Sequence, residues 1–223
     1  MYETSTELIR NELTPDTVRP ICDIFRSASV IYNEMIRSSI FETELKSNIN
    51  GLLLNFIIQR HFEPRYLSSE FPFTAIVRKR GKYKLIELQK DKIWLTINKS
   101  GKSILPRHAK YKEDYASWNF GLNSRYQLKF DYISRGDVQP GIITEQYYGI
   151  ITYNLKGTDF EFLDIILPDS KFRSILDTVE LMPRMRLINE AGMYADRDDE
   201  EILSEQNIKK GIKEEIIDDV LTS

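Results

Sequence analysis

Apolar residues recur every three or four positions through the first sixty residues of the chain. One such stripe runs from Ile21 to about Ile40, and a second runs from Leu45 to His61. This spacing places each set on one face of an α-helix. Pro15 and Pro20 both stand where a helix can begin, because proline lacks the N–H that a first turn leaves unpaired. We therefore predict an antiparallel helical hairpin.

After Pro64 the period changes to the alternation of β-strands. Three runs separated by Gly81 and by Lys90-Asp91 predict a three-strand meander, and two further runs flank the turn Lys156-Gly157-Thr158. A separate strand is expected where rings and leucine alternate with polar residues between Tyr126 and Tyr132. The runs are Phe73–Arg80, Lys82–Gln89 and Lys92–Asn98, followed by Ile142–Leu155 and Asp159–Leu167.

Shorter helical patterns complete the chain. One follows Pro106, with Tyr111, Tyr115 and Trp118 on one face, and another is expected to begin at Pro168-Asp169-Ser170, with Phe172, Ile175 and Leu176 facing inward. Residues 198–221 form a charged pattern with a narrow apolar seam. The seam consists of Ile202, Ile208, Ile212, Ile216 and Val220.

Helices and strands that occupy separate parts of a chain are typical of the α+β class. We predict an N-terminal helical hairpin packed on a mostly antiparallel sheet, with a C-terminal amphipathic helix. Residues 1–195 form a single domain in this interpretation, helical over 14–62 and mainly β over 71–167. Residues 196–223 form the acidic C-terminal helix.

Composition excludes several classes of protein. The 223 residues are 41% hydrophobic and 29% charged, as expected of a globular domain. The lone Cys22 and two histidines are too few for a closed zinc site, and no phosphate-binding glycine motif is present. We therefore expect no metal and no cofactor.

The start of the chain and its longest apolar stretch predict a cellular compartment. The chain starts without the basic and apolar segments of a secretory signal, and its longest apolar stretch, Ser47–Gln59, is shorter than the roughly 20 residues that span a bilayer. A cytoplasmic protein without a membrane partner is predicted.

The formal net charge of -3 conceals two opposite regions. Residues 78–112 hold twelve Lys and Arg against two acids, a net +10, whereas residues 196–219 hold ten acids against four bases, a net -6. A basic stretch with interleaved rings predicts a surface for nucleic acid or another polyanion, including an acidic protein surface. The candidate residues are Arg78, Lys79, Arg80, Lys82, Lys84, Lys92, Lys102, Arg107 and Lys110.

Three alternatives stay open. The basic residues can instead be solvated positions that discourage edge pairing, with the rings pointing inward. Asp164 and Glu87 are the candidate catalytic residues of a metal-dependent nuclease, because carboxylates on neighbouring strands can hold Mg²⁺, although Gln89 stands where that pattern places a lysine. The acidic C-terminal helix can cover the basic surface of its own chain, can dock through residues 202–221 on a partner protein or on a second copy, or can be a solvated terminal helix.

Two segments carry a resemblance. The run from Phe71 to Ile86, with its Arg80-Gly81 turn before a tyrosine-led strand, and the strand ending Ile165-Ile-Leu-Pro-Asp169 resemble a family of uncharacterised bacterial proteins of unknown function. The resemblance implies an accessory intracellular bacterial protein. It implies no activity, site or cofactor.

Overall fold

Three α-helices begin the chain: α1 (Ser5–Glu12), α2 (Pro15–Arg37) and α3 (Lys46–His61). The computed structural model describes residues 2–37, 46–80, 83–122, 146–156 and 159–185. Helices α2 and α3 contact each other, and the buried faces of both join one core. Two packed helices therefore lie where the helical hairpin is predicted, and its connection at 38–45 lies outside the described residues.

The helix α1 is absent from the sequence prediction, although its start carries a signal. The Thr4 hydroxyl accepts a hydrogen bond from the Glu7 N–H at 3.2 Å, and Leu8 is fully buried. A threonine followed three residues later by glutamate is a common helix start, since both side chains satisfy N–H groups that the first turn leaves unpaired.

Only one of the two prolines begins a helix. Pro15 is the first residue of α2, whereas Pro20 lies inside it. A proline in the second turn removes a single hydrogen bond, that to the Asp16 carbonyl, and the rest of the helix continues. Burial of the apolar stripe from Val18 to Ile36 outweighs this loss.

Six strands form one sheet in the order β1-β2-β3-β4-β5-β6. They are β1 (Thr74–Arg80), β2 (Tyr83–Lys90), β3 (Ile93–Lys99), β4 (Tyr147–Lys156), β5 (Asp159–Pro168) and β6 (Ile175–Glu180). The meander and the β4–β5 hairpin agree with the prediction. The sheet is antiparallel except between β3 and β4, which are parallel. The parallel pair departs from the mostly antiparallel sheet that the sequence predicts. More than forty residues connect β3 to β4, which is long enough for β4 to run in the same direction as β3.

The predicted helix after Pro168 is wrong, because residues 175–180 form β6. The Asp169 carboxylate accepts hydrogen bonds from the N–H groups of Arg173 and Ser174, and Phe172 adopts a φ of 54°. These bonds close a turn rather than a helix start. The following residues then pair with β5.

Helices cover both faces of the sheet. Helices α1 to α3 pack on one face, the hairpin face, over apolar residues that include Ile86, Leu95 and Ile151. On the opposite face lie α4 (Lys110–Ala116) and a short 3-10 helix (Ser117–Asn119), above a smaller cluster around Tyr148 and Ile166. We call this opposite face the α4 face.

Two predicted elements lie outside the described residues: the strand at 126–132 and the C-terminal helix at 198–221. The domain boundary at 195 lies there too. Within the described residues, no helix has the length and apolarity that crossing a bilayer requires.

We expect the substitution Gly149→Ala to lower the free energy of unfolding by about 1–3 kcal/mol. A Cβ atom at Gly149 would lie 2.7 Å from Leu95 Cδ2 and 3.3 Å from the Ile166 carbonyl oxygen, so the Leu95 side chain must move and the β5 backbone must give by a few tenths of an ångström. Urea unfolding measures the effect. Alanine at the exposed Gly101, whose Cβ would meet nothing within 4 Å, is the matched control, and equal losses at the two glycines would contradict this account.

Candidate functional site

Three lysines lie at one end of the sheet, on its hairpin face. Lys79 pairs directly with Lys84 across β1 and β2, and Lys99 ends β3. Strand alternation puts Lys84 on the side of Ile86, and Lys99 on the side of Ile97, both of which belong to the core beneath α2 and α3. All three side chains are exposed. We call Lys79, Lys84 and Lys99 the lysine row.

The two acids of the basic stretch lie away from the Lys79–Lys84 pair. Glu87 lies on the α4 face and pairs with Arg78. Asp91 lies in the β2–β3 turn, at the other end of the strands, and pairs with Lys90. Like charges placed directly opposite each other across two strands are unfavourable. The Lys79–Lys84 pair therefore has a folding cost that an external anion would relieve.

The buried carboxylate of Glu87 is held from two sides. Its Oε2 accepts from Arg78 Nε at 2.6 Å, and its Oε1 accepts from the Tyr115 hydroxyl of α4 at 2.7 Å. The hydrogen bond to Glu87 raises the pKa of the Arg78 guanidinium. The ion pair joins β1 to β2, and the Tyr115 hydrogen bond to the same buried carboxylate attaches α4 to β2.

Trp94, Tyr115 and Trp118 pack against one another on the α4 face, away from the lysine row. Trp94 on β3 contacts the rings of Tyr115 and Trp118, and its exposed fraction is only 9%. Arg78, one of the predicted binding residues, approaches this cluster, with its guanidinium carbon 5.7 Å from the centre of the Trp94 ring. Bases stacked on these rings would therefore lie on the opposite side of the sheet from the lysines.

The other predicted basic residues do not converge on the row. Lys92 lies in the turn at the far end of β2, with its amine 5.4 Å from the centre of the Tyr2 ring. Lys102, Arg107 and Lys110 are exposed in the segment that leads to α4 and at its first residue. Arg80 ends β1, and Lys82 lies outside the described residues.

The two candidate catalytic carboxylates are not brought together. Glu87 is on β2 and Asp164 is on β5, so β3 and β4 separate them by about 14 Å at the usual strand spacing. Two ligands of one Mg²⁺ or Ca²⁺ ion lie within about 5 Å of each other. Across the described part of the chain, no group of three His, Cys, Asp or Glu side chains is arranged to hold a metal ion.

Asp164 is instead a buried carboxylate beside another acid. It pairs in register with Glu180 of β6 and is 5% exposed. Burial, together with the charge of Glu180, raises the pKa of Asp164 to about 6. The side chain therefore changes its charge within the range of pH in which proteins are usually studied.

The structure adds two basic residues to those chosen from sequence. Lys99 belongs to the row, and strand alternation from Leu95 and Ile97 was the signal that could have identified it. Lys112 is buried in α4, donates to the Arg107 carbonyl at 3.0 Å and has its pKa lowered to about 8 by burial. Because its side chain is only 6% exposed, Lys112 adds little to the basic surface.

The single cysteine is a core residue in this fold. Cys22 is fully buried on α2, and burial raises the pKa of its thiol to about 11. A thiol in this state is a poor nucleophile, because the thiolate is the reactive form.

No family model, curated protein or solved structure matches this chain. The resemblance carried by residues 71–86 stays a prediction.

Proposed function

We propose that this protein binds nucleic acid through the lysine row. The observation that supports the proposal is the direct opposition of Lys79 and Lys84, with the exposed Lys99 on the same face and end of the sheet. Edge protection explains charge on β1, which is the outermost strand, but it does not explain lysines on β2 and β3.

The spacing of the row suits a phosphate backbone. Neighbouring strands lie about 4.8 Å apart, so three lysines on three strands span at least about 10 Å. A nucleic-acid strand carries a phosphate at every nucleotide, so two or more phosphates can lie along a row of this length. Because the rings face the other side, the contact is electrostatic and we expect little preference for base sequence.

We expect a triple variant, K79Q/K84Q/K99Q, to lose most of the binding at low salt. Each lost phosphate contact lowers the slope of log K against log salt by about 0.9 on duplex DNA, so the slope should fall by about 2.7. In the wild type, these three contacts should account for a roughly 40-fold loss of affinity between 50 and 200 mM salt. Fluorescence anisotropy with labelled DNA and RNA measures both quantities.

The matched control is K110Q/K171Q/R173Q, which removes the same charge from exposed side chains outside the row. We expect it to bind nearly as the wild type does. Equal weakening in both triple variants would contradict a specific row, and so would wild-type affinity in K79Q/K84Q/K99Q. Binding to polyglutamate without binding to nucleic acid would favour an acidic protein partner instead.

A further inference from the structure

The outer face of α3 carries exposed apolar side chains. Leu52 and Phe56 are one helical turn apart and are 61% and 56% exposed, respectively, whereas Leu53, Leu54 and Ile57 are buried. A surface helix usually presents polar side chains to solvent, so large apolar side chains on its outer face are unusual. Something is therefore expected to cover Leu52 and Phe56.

The helix that carries this apolar face packs over the strand beside Lys99, so an occupant of the face can reach the lysine row. Asn55, between Leu52 and Phe56 in sequence, accepts a hydrogen bond from the Tyr153 hydroxyl at 3.0 Å. Tyr153 is the register partner of Lys99. The occupant of the α3 face consequently meets both apolar side chains and lysines, so it should be amphipathic and acidic.

The last described residues of the chain lie level with Lys99 along the strand direction. Tyr153 pairs with Leu163, and the N–H of Leu181 donates to the Leu163 carbonyl, so Lys99 and Leu181 lie on one cross-strand line. Met182 and Met185 then pack against the core on the hairpin face. Near this point, Arg184 Nη1 is buried without a hydrogen-bond partner among the described residues.

We propose that residues 196–221 dock on this surface of their own chain, with the Ile208, Ile212 and Ile216 seam on Leu52 and Phe56 and the acidic residues on the lysine row. The segment has a net charge of -6 over 196–219, the opposite sign to the row. The ten residues 186–195 reach roughly 33–36 Å when extended, and β6 lies about 19 Å from β2. The connection is therefore long enough.

A docked acidic segment would limit the access of nucleic acid to the lysine row. This consequence rests on the proposed function. Nucleic acid and the acidic segment would compete for the same lysines. The apparent Kd for nucleic acid would then be the intrinsic Kd divided by the fraction of undocked molecules.

Carbodiimide crosslinking tests the docking without nucleic acid, because the reagent joins an amine to a carboxylate that touches it. An equal mixture of isotopically light and heavy full-length chains is treated and digested, and the links are mapped by mass spectrometry. We expect links between Lys79, Lys84 or Lys99 and the acids of 196–219, within chains of one isotope. Links that join light to heavy chains, or no such links, would overturn the proposal.

Two variants test the apolar part. I208S/I212S/I216S should lose the links, whereas L203S/I217S/L221S, which changes apolar residues outside the seam, should keep them.

The variant L52S/F56S should also lose the links. Its control is Val30→Ser, which changes an exposed residue on α2. Because these positions on α2 and α3 are exposed, the fold should persist, as measured by circular dichroism. Links that survive in both I208S/I212S/I216S and L52S/F56S would overturn the proposed contact.

DNA binding by the same variants is measured separately from crosslinking. I208S/I212S/I216S should bind labelled DNA more tightly than the wild type, and DNA should suppress the links. If K79Q/K84Q/K99Q binds DNA as the wild type does, the proposed function fails, while the wild-type links still decide whether the segment docks.

Discussion

Replacing Asn119 with alanine is expected to lower the free energy of unfolding by about 4 kcal/mol, since three buried backbone groups lose their partner at about 1–3 kcal/mol each. The Asn119 Oδ1 accepts from the Tyr148 N–H at 2.8 Å. Its Nδ2 donates to the Tyr148 carbonyl at 2.9 Å and to the Pro168 carbonyl at 2.7 Å. One amide thus joins the 3-10 helix to β4 and to the end of β5.

Urea unfolding at neutral pH measures this loss. Asn154→Ala is the matched control, because the Asn154 amide donates to the exposed Glu161 side chain near the end of β4. We expect the control to change stability by no more than about 0.5 kcal/mol. A loss below about 1 kcal/mol for Asn119→Ala would show that water replaces the amide, and would contradict its role as a buried clasp.

The substitution Asp164→Asn is expected to stabilise the protein above pH 7 and to have little effect at pH 4. Burial and Glu180 raise the pKa of Asp164 to about 6 in the folded state, against about 3.9 in an unfolded chain. The folded state therefore binds more protons between these values, and the free energy of unfolding falls as pH rises from about 4 to about 6. A shift of this size corresponds to about 3 kcal/mol at most.

Thermal and urea unfolding of both proteins at pH 4, 6 and 8 measure this dependence. The exposed Asp159 at the start of β5 offers the matched control, and Asp159→Asn should leave the pH dependence unchanged. A stabilisation by Asp164→Asn that is the same at pH 4 and pH 8 would show that the gain comes from packing rather than from the charge.

Local periodicity predicted most of the elements. The stripes of α2 and α3, the β1–β3 meander and the β4–β5 hairpin all appear near their expected bounds, because each pattern reports which face of a segment is buried. The prediction of a helix around Phe172 was wrong because a local pattern does not show which partner a segment will pair with. Asp169 bonds to backbone groups in turns as well as at helix starts, and an open strand edge on β5 decided between the two.

The candidate site was predicted only in part. Lys79 and Lys84 were predicted from the charge of the basic stretch alone. That charge did not predict that the two lysines pair directly, or that Trp94 lies on the other face of the sheet. The register of β1 with β2 decides the first, and the alternation of side chains along the strands decides the second.

The sequence by itself determined which segments are helical or extended, where the basic and acidic regions lie and how few cysteines and histidines the chain has, because these depend on residue type and on neighbours within a turn or a strand. Only the tertiary structure decided that β4 runs parallel to β3, that Glu87 and Asp164 lie three strands apart, and that three lysines meet at one end of the sheet. These facts depend on which strands become neighbours, and strand neighbours are chosen by contacts between residues far apart in the chain. The same contacts bring the exit of the chain at Leu181 to the level of Lys99.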